Sequence, residues 1–106
     1  MEKIENLIQG FLSQKRIAIL GVSDKRETGC NFNYKKFKEN GYKVYPVNPH
    51  ISSFNGETCY PDLKSIPEKS EAVFMLTSPA VTEQIVRECF DLRIKYVWII
   101  FKCLSY

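Results

Sequence analysis

The stretch IAILGVSDKRETG, residues 17–29, carries four apolar residues and then a loop with a glycine at each end and two cations in the middle. A short apolar run that stops at a glycine is typical of a strand buried on both faces of a parallel sheet. After the loop, Cys30, Tyr34 and Phe37 recur on one helical face, and Gly41 marks a helix end. The sequence therefore predicts a strand, a tight turn and a helix in succession.

The alternation of strand and helix continues on both sides of this unit. Apolar residues at helical spacing predict an amphipathic helix over residues 2–13, within an N-terminal segment of residues 1–14. Further strands are predicted at residues 43–47, 72–76 and 96–100. Strands separated by helical crossovers form a parallel sheet with helices on both faces. The predicted fold class is therefore α/β, a Rossmann-like three-layer fold with a mostly parallel sheet.

Single residues mark the edges and boundaries of these elements. Pro46 argues against a central position for the second strand, because proline cannot donate a hydrogen bond to a neighbouring strand. Residues 58–60 predict a short edge strand. Ser78 is a suitable N-cap and Pro79 suits the first position of the helix before the last strand.

Length and composition limit the class of protein. The 106 residues predict a single domain over residues 1–106, since domains commonly hold roughly 100–150 residues. The net charge of +3 and the pI of 8.7 favour a small anionic ligand over nucleic acid. The four cysteines form no CxxC pair and the only histidine is His50, so neither a metal site nor a disulfide framework is predicted. The longest apolar run, residues 97–101, is too short to span a bilayer, and a cytoplasmic location is expected.

A ligand site is predicted where the strands end, because ligands of such sheets bind beyond the carboxyl ends of the strands. The segments expected to meet there are residues 21–30, 48–50 and 77–80. Gly21 permits a sharp turn, and the free N–H groups at the start of the next helix favour a phosphate. Lys25 and Arg26 add positive charge that favours the same ligand. Solvation of a surface loop accounts for both cations equally well.

The loop also differs from a dinucleotide-binding loop. It lacks the GxGxxG pattern, and the second strand ends in Asn48-Pro49, where an acid would be expected to hold the ribose diol of NAD. Ser23 and Thr28 supply hydroxyl donors, and Gly29 permits the close approach of a ligand. An adenine nucleotide that carries a phosphate on its ribose suits this strand end better than NAD.

Five segments together resemble a known family. They are IAILGVS (17–23), NGYKVYPVNP (40–49), GETCYPDLKSIPE (56–68), TSPAVTEQIV (77–86) and KYVWI (95–99). They are similar to the small stand-alone CoA-binding domain proteins, whose fold also forms the N-terminal domain of the succinyl-CoA synthetase alpha subunit and of related acyl-CoA synthetases. The order and spacing of YPVNP and CYPDL-x-x-IP carry the resemblance, which extends to about Ile99.

The resemblance implies a Rossmann-type domain that binds CoA at the cleft described above. In such domains the loop after the first strand contacts the phosphates, and the ends of the second and third strands flank the adenosine and its 3′-phosphate. The ligand positions that this implies are Gly21, Val22, Ser23, Asn48, Pro49, Thr77, Ser78 and Pro79. Lys25 and Arg26 join them on electrostatic grounds alone. Structural roles would also explain several positions, since Asn48 can bond its own backbone and Ser78 can cap its helix.

The chain departs from the family pattern in two places. Relatives commonly begin the second helix with Gly-Asn, whereas this chain has Gly29-Cys30-Asn31, which predicts that the Cys30 side chain obstructs a ligand. Family members also continue past the fourth main strand with a Gln/Gly-rich turn, a helix and a final strand. This chain ends at Tyr106, so the fold is expected to be truncated at its C-terminal end, with the last family helix and strand absent. The sheet edge left unpaired favours a homo-oligomer.

These features predict a non-catalytic protein that binds CoA or acyl-CoA. No nucleophile and base can be paired around the single histidine, and the phosphohistidine of the synthetases lies in a domain that this chain lacks. Two alternatives stay open: a domain that senses NAD(H) or an adenine nucleotide, and a degenerate Rossmann domain kept for protein association. Neither nucleic acid nor a membrane is expected as a partner.

Overall fold

A computed structural model describes residues 4–25, 28–77 and 79–101, in which helices and strands alternate along the chain. The predicted first helix is present over Ile4–Leu12, and residues 2 and 3 of the prediction lie outside the described residues. The elements are α1 (Ile4–Leu12), β1 (Arg16–Leu20), α2 (Gly29–Glu39), β2 (Lys43–Val47), β3 (Ser53–Phe54), β4 (Glu57–Thr58), a 3₁₀ turn (Leu63–Ser65), β5 (Ala72–Thr77), α3 (Pro79–Asp91) and β6 (Tyr96–Phe101).

Four of the described strands form one parallel sheet in the order β2-β1-β5-β6. In its register Leu20 of β1 lies beside Val47 of β2 and Met75 of β5. The carboxyl ends of these three strands therefore lie together at one edge of the sheet. The predicted α/β class with a mostly parallel sheet is confirmed.

Strand β1 lies inside the sheet and is buried on both faces, as its continuous apolar sequence predicted. Ile17 and Ile19 pack with α1 and α2 on one face, while Ala18 and Leu20 pack with α3 and the 3₁₀ turn on the other. All four side chains are buried. Full burial of a side chain such as isoleucine stabilises a fold by roughly 1.5–3 kcal/mol, so this strand anchors both layers.

The edge strand β2 shows why Pro46 is tolerated. β2 lies at one end of the four-strand order, and on its outer side the Pro46 carbonyl accepts a hydrogen bond of 3.0 Å from the Tyr60 amide. Tyr60 in turn bridges Val47 in parallel. Of the edge strand predicted over residues 58–60, Thr58 is in β4, which pairs with β3, and Tyr60 bridges the edge of the four-stranded sheet.

The described cysteines act as small apolar side chains in the core. Cys30, Cys59 and Cys89 are free and buried, and Cys103 lies outside the described residues. Burial raises the pKa of the Cys30 thiol to about 11, and burial does the same for Cys89. Both thiols therefore stay protonated near neutral pH and are weak nucleophiles.

None of the helices in the described part of the chain is long and apolar enough to cross a membrane. Within the same ranges, no group of three or more His, Cys, Asp or Glu side chains is arranged to hold a metal ion.

Candidate functional site

The turn after β1 depends on a glycine, as the sequence predicted. Gly21 has a φ of +115°, in the region that L side chains rarely adopt. A Cβ built at this position would lie 2.8 Å from the Cys30 Sγ atom and 2.8 Å from the Leu76 carbonyl oxygen. Glycine therefore lets the loop pack directly against both α2 and β5.

Asn31 holds the loop from the first turn of α2. Its Oδ1 atom accepts a 2.8 Å hydrogen bond from the Ser23 amide, and its Nδ2 atom donates 2.9 Å to the Ser23 carbonyl. The side chain is buried, with 3% of its surface exposed. Sequence reasoning missed this role. The sequence shows only a polar residue next to Cys30 near the start of a helix, which does not identify the groups that it bonds.

Thr28 caps α2 at its N-terminus. Its Oγ1 atom accepts a hydrogen bond from the Asn31 amide (3.1 Å) and donates to the Gly21 carbonyl (3.0 Å). The hydroxyl that was expected to meet a ligand is thus engaged within the protein. The amides of Gly29 and Cys30 carry no hydrogen bond to any described residue, because they precede the first turn of helical bonding. Amides in this position at a helix N-terminus favour an anion.

Asn48 connects the end of β2 to the loop after β1. Its Nδ2 atom donates a 2.9 Å hydrogen bond to the Val22 carbonyl, and its Oδ1 atom accepts 2.7 Å from the His50 amide. The Asn48 side chain therefore bonds backbone groups, which was one of the two interpretations of this residue. One of those groups, the Val22 carbonyl, belongs to the loop after β1. This contact brings two of the three predicted segments together.

The end of β5 completes the site. The Leu76 carbonyl lies against Gly21, and the next residue, Thr77, places its Oγ1 atom 2.6 Å from the Thr82 hydroxyl of α3. Thr82 is buried, so this hydroxyl pair fixes the start of α3 against the strand end. The third predicted segment therefore adjoins the first.

The remaining predicted ligand positions differ in how exposed their side chains are. Val22 is buried, so its side chain belongs to the core and its backbone alone faces Asn48. Ser23 is half-buried, and its hydroxyl accepts the Lys25 amide at 3.1 Å. Lys25, Pro49 and Pro79 are exposed at the rim. Arg26 and Ser78 lie outside the described residues.

The expected obstruction by Cys30 is not observed. Its side chain is fully buried beneath Gly21, and its thiol donates to the Leu20 carbonyl at 3.1 Å. The sulfur therefore faces the core, in line with the helical face that Cys30 shares with Tyr34. Gly29 has no steric requirement in this structure, since a Cβ there would meet only the Leu76 Cδ2 atom at 3.9 Å.

Comparison with known proteins identifies the family. The family model described as CoA binding domain matches residues 15–103. The chain is 30% identical over 96 residues to the alpha subunit of ADP-forming acetate–CoA ligase II of Pyrococcus furiosus, a match that covers 89% of this chain and 21% of that protein. It is 29% identical over 84 residues to ADP-forming acetate–CoA ligase II of Archaeoglobus fulgidus, covering 76% of this chain and 12% of that protein. The chain thus spans about a fifth or less of the length of these two relatives.

A solved structure shares the fold of this chain. A hypothetical protein from Pyrococcus horikoshii OT3 superposes with a TM-score of 0.81 at 34% identity, covering 92% of this chain and 75% of that one. The family model spans most of the sequence, including the loop after β1, the Asn48 turn and the end of β5. The chain therefore belongs to the CoA-binding domain family.

Proposed function

We propose that this chain binds CoA or acyl-CoA at the carboxyl edge of its sheet and performs no chemistry on it. Family membership supports the ligand class. The observation that carries the proposal is the hydrogen bond from Asn48 to the Val22 carbonyl, which joins the turn after β1 to the end of β2. Adenosine and phosphate groups of one ligand would then lie against neighbouring segments.

The phosphate end of the proposed ligand lies at the start of α2. The amides of Gly29 and Cys30, which carry no hydrogen bond to the residues that the structure describes, lie at the N-terminus of an 11-residue helix, whose dipole favours an anion. Lys25 is exposed on the same loop and adds a mobile positive charge. Asn48 has its oxygen and one amide proton engaged, so its role in this proposal is to position the turn.

The absence of catalysis is part of the same proposal. Cys30, Cys59 and Cys89 are buried, and burial raises the pKa of each thiol, which weakens it as a nucleophile. Free thiols also suit a reducing compartment, so we place the protein in the cytoplasm.

Calorimetric titration of the full chain with CoA, dephospho-CoA and NADH tests the proposal. We expect saturable binding of CoA, and roughly tenfold weaker binding of dephospho-CoA, because one charge-assisted phosphate contact is lost. The variant Lys25→Gln should weaken CoA binding, most at low salt, whereas Lys95→Gln at the opposite end of the sheet should not. Absence of CoA binding, or equal binding of CoA and dephospho-CoA, would contradict the proposal.

NADH is included because the loop after β1 carries a carboxylate, Asp24. Burial raises the pKa of Cys59, whose thiol faces the Asn48 carbonyl, and the charge of Asp24 contributes to the same shift to a smaller extent. A carboxylate near this strand end could hold a ribose diol, as in NAD-binding domains. Displacement of CoA by NADH at comparable concentration would favour this second candidate.

Protein association is the other candidate, and the outer edge of the sheet favours it. β6 lies at the end of the described sheet order, opposite β2. A groove of about 280 Å³ runs between β6 and α1, and its lining includes Ile8 and Trp98, both more than a third exposed. An open edge beside exposed apolar side chains promotes pairing with another chain, and we propose a second copy as the partner.

Light scattering on the chain without ligand tests this association. We expect a mass that rises toward that of a dimer with protein concentration, and Ile8→Lys should return the chain to a monomer by charging the groove. Val86→Lys changes a similarly exposed residue on α3, on the other face of the sheet, and should have no such effect. A wild-type monomer at every concentration would exclude the homo-oligomer.

A further inference from the structure

A second crevice lies at the amino end of the sheet, away from the proposed CoA site. Its volume is about 270 Å³. Its apolar walls come from the 3₁₀ turn region and from the connection between α3 and β6: Leu63, Ile66, Pro67, Leu92 and Ile94. The lining also includes Lys64, Lys69 and Ser70. Ser70 stands two residues before β5 begins, whereas the Gly21 turn follows the opposite end of the sheet.

Ser70 is the residue that points to a ligand. It is only 3% exposed, and its Oγ atom is buried without a hydrogen-bond partner in the described part of the chain. Buried hydroxyls are normally bonded, because an unsatisfied one destabilises the fold. A serine side chain can rotate about its Cα–Cβ bond, and the hydroxyl proton then donates to an acceptor in the crevice.

The charged side chains among the residues that line the crevice are both lysines. Lys64 and Lys69 are exposed, and neither forms an ion pair with the residues that the structure describes, unlike Lys43, which pairs with Glu68. Two acids of the same region, Glu88 and Asp62, do not line the crevice, and both bond backbone amides. Glu88 accepts the Leu63 amide at 3.0 Å, and Asp62 accepts the Ser65 amide at 2.9 Å. Lys64 and Lys69 are thus the charged side chains among the residues that line this crevice.

We propose that this crevice binds a small carboxylate with a short apolar chain. The apolar walls contact the chain, and the carboxylate meets Ser70 and the two lysines, which satisfies the orphan hydroxyl and the positive charge together. The volume lies at the lower limit of ligand pockets, about 300 Å³, which restricts the ligand to a few carbons. The site lies outside the proposed CoA cleft, so the inference does not depend on CoA binding.

Titration of the ¹⁵N-labelled chain by NMR, with butyrate, hexanoate and hexan-1-ol as probes, tests the proposal. We expect saturable shifts of amide signals in residues 63–70 and 92–94. Hexanoate should bind up to roughly tenfold more tightly than butyrate, because two more methylene groups are buried. Hexan-1-ol lacks the charge and should bind more weakly than hexanoate. Absence of saturable shifts in these segments, or equal binding of the acid and the alcohol, would overturn the proposal.

Two variants test the polar contacts. Ser70→Ala loses no hydrogen bond of the free protein, so it should fold at least as stably as the wild type while binding hexanoate roughly tenfold more weakly. Lys69→Gln should also weaken binding and reduce its dependence on salt. Ser53→Ala and Lys36→Gln, on exposed positions elsewhere, should bind as the wild type does. Unchanged binding in both crevice variants would show that their side chains do not hold the ligand.

Discussion

Replacement of Gly21 by alanine should lower the free energy of unfolding by about 3 kcal/mol, from two causes that act together. An L residue is strained at a φ of +115°, and the new Cβ would lie 2.8 Å from a backbone oxygen, that of Leu76, as well as from the Cys30 sulfur. Backbone cannot move aside as a flexible side chain can. Urea unfolding and thermal melting measure the loss, which corresponds to a fall in melting temperature of at least about 10 °C.

Substitutions at two other glycines serve as controls that separate backbone strain from steric collision of the new Cβ. Gly56 has a φ of +79° with nothing within 4 Å of a built Cβ, so Gly56→Ala should cost about 1 kcal/mol from strain alone. Gly29 begins α2 without a positive φ, and a Cβ there makes an ordinary contact of 3.9 Å, so Gly29→Ala should change stability by about 0.5 kcal/mol or less. If Gly21→Ala were no worse than Gly56→Ala, the close packing of the turn would not limit stability.

The position of this turn could be predicted from the sequence because it depends on local signals. The apolar run of β1 ends at Gly21, and each side chain of that run is buried on one face of the sheet or the other. Parallel pairing then brings the ends of β1, β2 and β5 together without any further information. The meeting of the Asn48 and Thr77 segments with the loop follows from this topology.

The direction of Cys30 shows where two inferences from one sequence disagreed. Comparison with relatives placed its sulfur in the path of a ligand, whereas the helical periodicity placed it on the buried face with Tyr34. The periodicity was right, because the direction of a side chain on a helix is fixed by its angular position. Packing against Gly21 then makes the cysteine part of the turn itself.

The hydrogen bonds of Asn31 and the orphan hydroxyl of Ser70 could not be predicted. Both depend on where a loop backbone runs relative to a side chain several residues away, and no local pattern encodes that path. Asn31 reaches Ser23 across eight residues of sequence. Ser70 lies beside the 3₁₀ turn and the connection after α3. The turn is irregular in shape, and the connection is remote from Ser70 in the chain.

Removal of the Asn31 side chain should open the loop while leaving the sheet intact. Asn31→Ala deletes both hydrogen bonds to Ser23 and leaves a cavity where a buried amide was, so we expect a loss of about 2 kcal/mol in unfolding free energy. The Ser23 amide should exchange with deuterium faster than in the wild type, because its acceptor is gone. Hydrogen exchange followed by NMR measures this locally, whatever the global stability does.

Asn33 provides the matched control on the same helix. Its Nδ2 atom bonds the Gly29 carbonyl one turn earlier in α2, so Asn33→Ala should change stability by about 0.5 kcal/mol or less, since alanine favours the helix. If the proposed function holds, CoA binding should weaken in Asn31→Ala and not in Asn33→Ala, because only the former releases the backbone that shapes the phosphate site. Unchanged exchange at Ser23 would show that the loop keeps its shape without Asn31. Unchanged CoA affinity with fast exchange would show instead that binding does not require a preformed loop.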